Sequence, residues 1–144
     1  MSRPRFLLDV NVLVALADED HVHHPIVMKW FRSTGRHDWG LCAFTEAGFL
    51  RVSMRPKTGS RSIEEVTEML TRLAAQPGYR YWPITVPWAT LAAPFQGRLF
   101  GHQQITDAYL LGLAVEENCV LVTLDQALSH LAGAQYRRHL LVLQ

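Results

Sequence analysis

The sequence predicts a three-layer α/β/α domain built on a mainly parallel central sheet. Short apolar runs alternate with helix-compatible stretches, several of those runs pass directly into a helix, and no repeat, linker or low-complexity tract interrupts residues 1–144. The 144 residues are 49% apolar, enough for one core and too few for two packed domains.

Phe6 to Leu8 reads as a buried strand ending at Asp9, and Val10 to Ala17 continues as a helix before the polar break Asp18-Glu19-Asp20. After His23-His24-Pro25, the positions Ile26, Val27, Trp30 and Phe31 recur at helical spacing. Pro25 suits a first turn, where a missing N–H leaves no bond unmade. Trp39 to Phe44 reads as a strand, and Thr45 is placed to cap a helix from Glu46 to about Met54, with Ala47, Leu50 and Met54 on one face. Residues 55–61 form a loop. Ser62 with Glu65 then makes a capping box opening a helix to about Ala75, which Pro77-Gly78 ends.

Tyr81 to Val86 reads as a short strand, Pro87 to Ala93 as a short helix, and Phe95 to Gln103 as a polar, glycine-punctuated connection. Thr106 or a near neighbour caps a helix through Glu117, in which Ala108, Leu111, Gly112 and Val115 form an apolar stripe. Asn118 suits the left-handed stop that follows. Val120 to Leu124 is the best strand, Asp125 ends it, Gln126 to Leu131 is helical, and Leu140 to Leu143 is a last edge strand.

A formal charge of +1 excludes the global basic field of a protein that coats nucleic acid, so a polyanionic substrate has to be held locally. Cys42 and Cys119 sit in apolar runs outside any CxxC or metal-finger spacing, which predicts buried free thiols in a reducing cytoplasm. Asp9 and Asn11 interrupt the first apolar segment and argue against a secretion signal. No apolar run approaches the roughly 20 residues that cross a bilayer, so no membrane helix is expected.

The chemistry lies in four acids. Asp9 and Asp125 end predicted strands, Glu46 begins the helix after another strand, and Asp107 lies in the first turn of its own helix. In a parallel sheet these positions share one edge, where ligands bind. Each acid alone is also explained as a helix cap or as a negative charge at the positive end of a helix dipole. Together they pose a repulsion problem, since two like charges about 4 Å apart cost roughly 4 kcal/mol at an effective dielectric near 20. A divalent cation solves it, and an all-oxygen ligand set suits Mg²⁺ or Mn²⁺ rather than zinc. The expected chemistry is metal-assisted phosphoryl transfer or phosphodiester hydrolysis by an activated water.

Four segments carry a family resemblance: Leu8-Asp9-Val10-Asn11-Val12-Leu13, Thr45-Glu46-Ala47-Gly48-Phe49-Leu50-Arg51-Val52, Ile105-Thr106-Asp107-Ala108-Tyr109-Leu110-Leu111 and Val122-Thr123-Leu124-Asp125. In order and spacing they resemble the PIN-domain ribonucleases, most closely the VapC toxins of bacterial toxin–antitoxin pairs. That resemblance implies a PIN fold, Mg²⁺- or Mn²⁺-dependent endoribonuclease activity on RNA, a homodimer, and inhibition by a small cognate antitoxin whose tail occupies the acidic groove. It makes Asp9, Glu46, Asp107 and Asp125 the acidic quartet, with Asp9 and Asp107 as direct ligands, and gives Asn11 and Thr123 the support of the acids or of the attacking water. The chain departs from the family after the fourth acid, where a basic residue and a glycine are frequent and Gln126-Ala127 stands instead.

Arg51, Arg55, Lys57 and Arg61 follow the Glu46 helix without an intervening acid, either to grip RNA phosphates or as a solvated loop. His102 precedes Asp107, as a substrate contact or part of an ordinary polar loop. His21, His23 and His24 lack the i, i+4 pairing of zinc motifs and read as surface histidines. Trp30, Phe31, Trp82 and Trp88 offer base-stacking rings, although Trp30 and Phe31 fit a core or a dimer face better. A HAD-like phosphatase or a phosphoacceptor receiver also places an Asp after its first strand. Both need a later lysine, and only Lys29 and Lys57 are present. A catalytically weak PIN module that binds RNA or a protein partner is the other alternative.

Overall fold

Neighbouring residues of a strand face opposite sides of its sheet, and the first strand, β1 (Phe6–Leu8), divides the core accordingly. Leu7 packs into one apolar cluster, while Phe6 and Leu8 pack into another. The computed structural model describes residues 3–57 and 60–144, so Thr58 and Gly59 of the predicted 55–61 loop lie outside the described residues.

After β1 come α1 (Val10–Ala17), α2 (His24–Ser33), β2 (Trp39–Leu41), α3 (Ala43–Met54), α4 (Ile63–Ala74), β3 (Tyr79–Tyr81), α5 (Trp88–Leu91), α6 (Ile105–Glu116), β4 (Val120–Thr123), α7 (Ala127–Ala132) and β5 (Leu140–Val142). The strands form one five-stranded sheet in the order β3-β2-β1-β4-β5, and every pairing is parallel. Val12 and Leu13 of α1, Val27 of α2, Phe49 of α3 and Val66 of α4 cover the Phe6 and Leu8 face. Leu91 of α5, Leu110 and Leu111 of α6 and Leu128 and Leu131 of α7 cover the Leu7 face. The three-layer arrangement with a parallel sheet is the one the sequence predicts.

Several boundaries move, each for a local reason. The strand predicted over Trp39–Phe44 stops at Leu41, and α3 starts at Ala43 with Cys42 in the capping position. Thr45 therefore lies inside the helix, and its buried hydroxyl donates to the Leu8 carbonyl at 2.7 Å instead of capping. The strand predicted over Tyr81–Val86 is instead Tyr79–Tyr81, paired with Trp39–Leu41. Pro83 has no N–H to carry the ladder further. The Phe95–Gln103 connection contains 3₁₀ turns at Ala93–Arg98 and His102–Gln104, and Phe95 is fully buried. No side chain caps α6, which begins one residue before Thr106. The predicted stripe on α6 is only part of its buried surface, since Leu110, Leu113 and Ala114 are buried as well.

Other expectations match. Pro25 lies in the first turn of α2, Asn118 adopts φ 52° after α6, and Gly78 adopts φ 86° before β3. Cys42 and Cys119 are buried and free, and burial pushes the Cys119 thiol up to about 12. Ser62 accepts from the Glu65 N–H at 3.1 Å while the Glu65 carboxylate accepts from the Ser62 N–H at 3.2 Å. Ser62→Ala is expected to lower stability by about 1 kcal/mol by removing this cap, read as a lower urea midpoint with unchanged slope. No helix among the described residues is long and apolar enough to cross a membrane.

Candidate functional site

β1 and β4 are neighbours in the sheet, so the residues that follow them emerge side by side. Asp9 follows β1 and caps α1, its Oδ1 accepting from the Val10 N–H at 2.7 Å. Its other oxygen, Oδ2, accepts from the Thr123 hydroxyl at 2.8 Å. Thr123 ends β4 and is fully buried. The same hydroxyl oxygen accepts from the Asp125 N–H at 3.0 Å and, more weakly, from Asn11 Nδ2 at 3.4 Å. Asn11 closes the frame by accepting from the Leu124 N–H at 3.1 Å. Asp125 in turn accepts from the Ala127 N–H at 2.9 Å, an Asx turn that starts α7. Asn11 and Thr123 thus tie together the two chain segments that present Asp9 and Asp125.

Asp107 arrives from a third element. It lies in the first turn of α6, which leads back into β4 and so begins at the edge where the strands end. Burial first, then the charges of Asp9 and Asp125, push its carboxyl up to about 6. Burial also raises the Asp9 carboxyl. The hydrogen bonds from Thr123 and Val10 oppose that shift, and the Asp125 charge adds to it. The salt bridges among the described residues, Arg72 with Glu68 and Arg80 with Asp38, lie elsewhere and neutralise none of the three aspartates.

Glu46 lies in the first turn of α3, three residues after its start instead of at it, because the helix begins already at Ala43. Its charge, however, is not among those acting on Asp9 or Asp107. It acts instead on the Tyr79 phenol, which burial and then Glu46 push up. The edge therefore brings three of the four acids into electrostatic contact. Among the described residues no three Asp, Glu, His or Cys side chains stand close enough to form a ready cation cage. The two oxygens of Asp9 are turned to the Val10 N–H and the Thr123 hydroxyl.

A groove of about 640 Å³ opens here, lined by Phe100, His102, Gln103, Gln104, Asp107 and Asp125, among others. His102 belongs to it. Arg51, Arg55 and Lys57 are exposed and do not line it. Arg55, nine residues after Glu46, is about 13 Å further along α3 at 1.5 Å rise per residue. Arg61 lines a different cleft with Val14, Phe49 and Met69.

The other sequence candidates are structural. His24 Nδ1 bonds the Ala15 carbonyl at 2.7 Å, and His21 Nδ1 accepts from the His23 N–H at 3.0 Å. Trp82 is only 3% exposed and lies against the Arg5 and Arg80 guanidinium groups, so it offers no free ring to a base. Trp30 and Phe31, both on α2, pack against the core cluster of the Phe6 and Leu8 face, and Trp88 packs on Tyr109. Sequence reasoning gave Thr45 a capping role, whereas its bond to the Leu8 carbonyl holds the start of α3 against the end of β1. It also missed the role of Gly48, where a Cβ would collide with the Val10 side chain, so glycine lets α3 approach α1. The small residue two positions after Glu46 was the available signal.

A parallel α/β/α sheet whose strand ends gather aspartates defines the class, and residues 6–134 match the PIN domain family model, so the chain belongs to the PIN-domain family. Within that family the chain is similar to ribonucleases of the VapC group. Ribonuclease VapC44 of Mycobacterium tuberculosis is 39% identical over 142 residues, covering 96% of this chain and 99% of the relative. Ribonuclease VapC38 of the same species is 39% identical over 128 residues, covering 88% and 89% respectively. Among solved structures, Rickettsia felis VapBC2 bound to a promoter DNA fragment superposes with a TM-score of 0.62 at 13% identity, covering 96% of this chain and 98% of that one. FitAB bound to a DNA fragment gives a TM-score of 0.64 at 22% identity, covering 88% and 90%. These two likenesses are of fold.

Proposed function

We propose that this chain is the ribonuclease toxin of a toxin–antitoxin pair, hydrolysing RNA phosphodiester bonds with Mg²⁺, or Mn²⁺ in its place, at the edge formed by Asp9, Asp107 and Asp125. The arrangement that carries this reading is the gathering of Asp9, Asp107 and Asp125 at one sheet edge, where each raises the charge density on the others and, among the described residues, no salt bridge offsets it. An all-carboxylate set of this kind fits a hard divalent cation and offers zinc no nitrogen or sulfur. Asp9 and Asp107 are assigned as direct ligands, with Asp125 and Glu46 completing the acidic set. When bound, the cation supplies Lewis-acid stabilisation of the charge that develops on the phosphate and activates water for attack.

The protein's own part is positional. Thr123 and Asn11 hold Asp9 and Asp125 in register across β1 and β4. His102 stands in the groove as a substrate contact, and Arg51, Arg55 and Lys57 are left to contact more distant phosphates. The VapC relatives support the RNA substrate, and the VapBC2 and FitAB assemblies support a small antitoxin as protein partner. A homodimer acting in the cytoplasm, each copy one PIN-like unit over residues 1–144, completes the reading.

Incubation of the purified protein with total RNA tests it. Cleavage is expected with Mg²⁺ or Mn²⁺, is expected to stop in chelator, and is expected to be lost in Asp9→Asn. Cleavage that persists in chelator overturns the metal assignment. Cleavage that persists undiminished in the variant places the activity elsewhere, and no cleavage by either protein favours a PIN module that only binds.

A further inference from the structure

Phe100 stands at the mouth of the acidic groove with 78% of its surface exposed. An aromatic ring left in water forgoes the stabilisation that burial would give. The ring is nevertheless held in place. It stacks on His130 of α7 with centroids 4.8 Å apart and planes inclined by 23°. The Phe100 N–H donates to Gln104 Oε1 at 2.7 Å, tying this loop to the turn that leads into α6 and Asp107. Phe100 is therefore held from two sides, its ring by α7, which follows Asp125, and its backbone by the turn before α6, which carries Asp107.

The surroundings select the ligand. His102, Gln103, Gln104, Asp107 and Asp125 line the same groove, so an apolar peptide or acyl chain would bury hydrogen-bonding groups without partners. A nucleobase has an apolar face for the ring and a polar edge for the glutamines. It is also neutral, so it escapes the repulsion that the aspartates exert on a phosphate. We propose that Phe100, backed by His130, is a stacking platform for one unpaired base of the RNA, and thereby selects single-stranded over duplex substrate. This rests on the RNA reading above and adds the subsite that engages the base.

The test uses fluorescence anisotropy with mixed-sequence twelve-nucleotide single-stranded RNA, in an Asp107→Asn chain so that the RNA survives. Phe100→Ala is expected to weaken binding roughly 5- to 140-fold, the range of one base–aromatic stack. Phe100→Trp is expected to retain it, and an abasic ribose-phosphate twelve-mer is expected to bind both chains equally. If the parent binds no RNA, the RNA reading falls and the platform with it. If the parent binds and Phe100→Ala binds as well, the platform alone is overturned. Equal weakening of the abasic polymer would make Phe100 a loop-shaping residue and also overturn it.

Discussion

Replacing Asp107 by Asn is expected to reduce RNA cleavage roughly a hundred- to a thousandfold and, in the metal-free protein, to raise stability. The two effects have one cause. Burial, Asp9 and Asp125 together move the Asp107 carboxyl from 3.8 to about 6. The folded chain therefore keeps this proton up to about pH 6, whereas the unfolded chain releases it near 3.8. Across that window folding takes up a proton, so stability falls as pH rises and stays lowered above it. A shift of this size corresponds to about 3 kcal/mol for an enclosed group, and solvent screening of the half-buried side chain reduces it to about 1 kcal/mol.

Asparagine carries no charge over this range, so the variant loses that part of the pH dependence and keeps the part due to Asp9. Urea unfolding between pH 4 and pH 7.5, without metal, is the measurement. The variant should be the more stable protein at the upper end and gain little at the lower. Mg²⁺ should then stabilise the wild-type chain more than the variant, because a cation that binds only the folded state adds stability in proportion to its affinity. A variant less stable than wild type at pH 7.5, or one that cleaves RNA at the wild-type rate, would remove the basis for placing the cation beside Asp107.

The distribution of carboxylates was legible in the chain because strand ends and helix starts are marked by composition. Phe6–Leu8 ending at Asp9 and Val120–Thr123 leading to Asp125 are apolar runs broken by an acid, and pairing β1 with β4 brings the acids together. The hydroxyl roles were less legible. Thr45 has the sequence of a cap, yet its bond to the Leu8 carbonyl requires the chain to have turned already at Cys42, a contact 37 positions away that local propensity does not encode. Glu46 shows the same limit, since its place in the first turn of α3 was readable and its electrostatic coupling to Tyr79 was not. The β3 strand was misplaced because Ile84 and Val86 look more strand-like than Tyr79-Arg80-Tyr81. Pairing with Trp39–Leu41 and the Arg80–Asp38 salt bridge decide the outcome.

Thr123 tests whether the frame matters as much as the acids. Its hydroxyl donates to Asp9 and accepts from the Asp125 N–H and Asn11, so Thr123→Val removes all three bonds while nearly conserving shape. The buried Asp9 carboxylate loses a donor and the Asp125 N–H loses its acceptor. Such changes cost about 2–4 kcal/mol when buried groups are left unsatisfied, and the urea midpoint should fall accordingly. A second consequence distinguishes this from an ordinary packing defect. The Thr123 bond is the largest influence holding the Asp9 carboxyl down against burial, so without it that carboxyl rises further. Protonated Asp9 cannot serve a cation as a carboxylate, and the acid limb of the cleavage profile should move to higher pH. Thr123→Ser keeps the hydroxyl and loses only a methyl group, so it should leave the acid limb in place even where stability drops. An unchanged profile in Thr123→Val, with cleavage intact, would reduce Thr123 to a core residue and leave Asp9 positioned by Val10 alone.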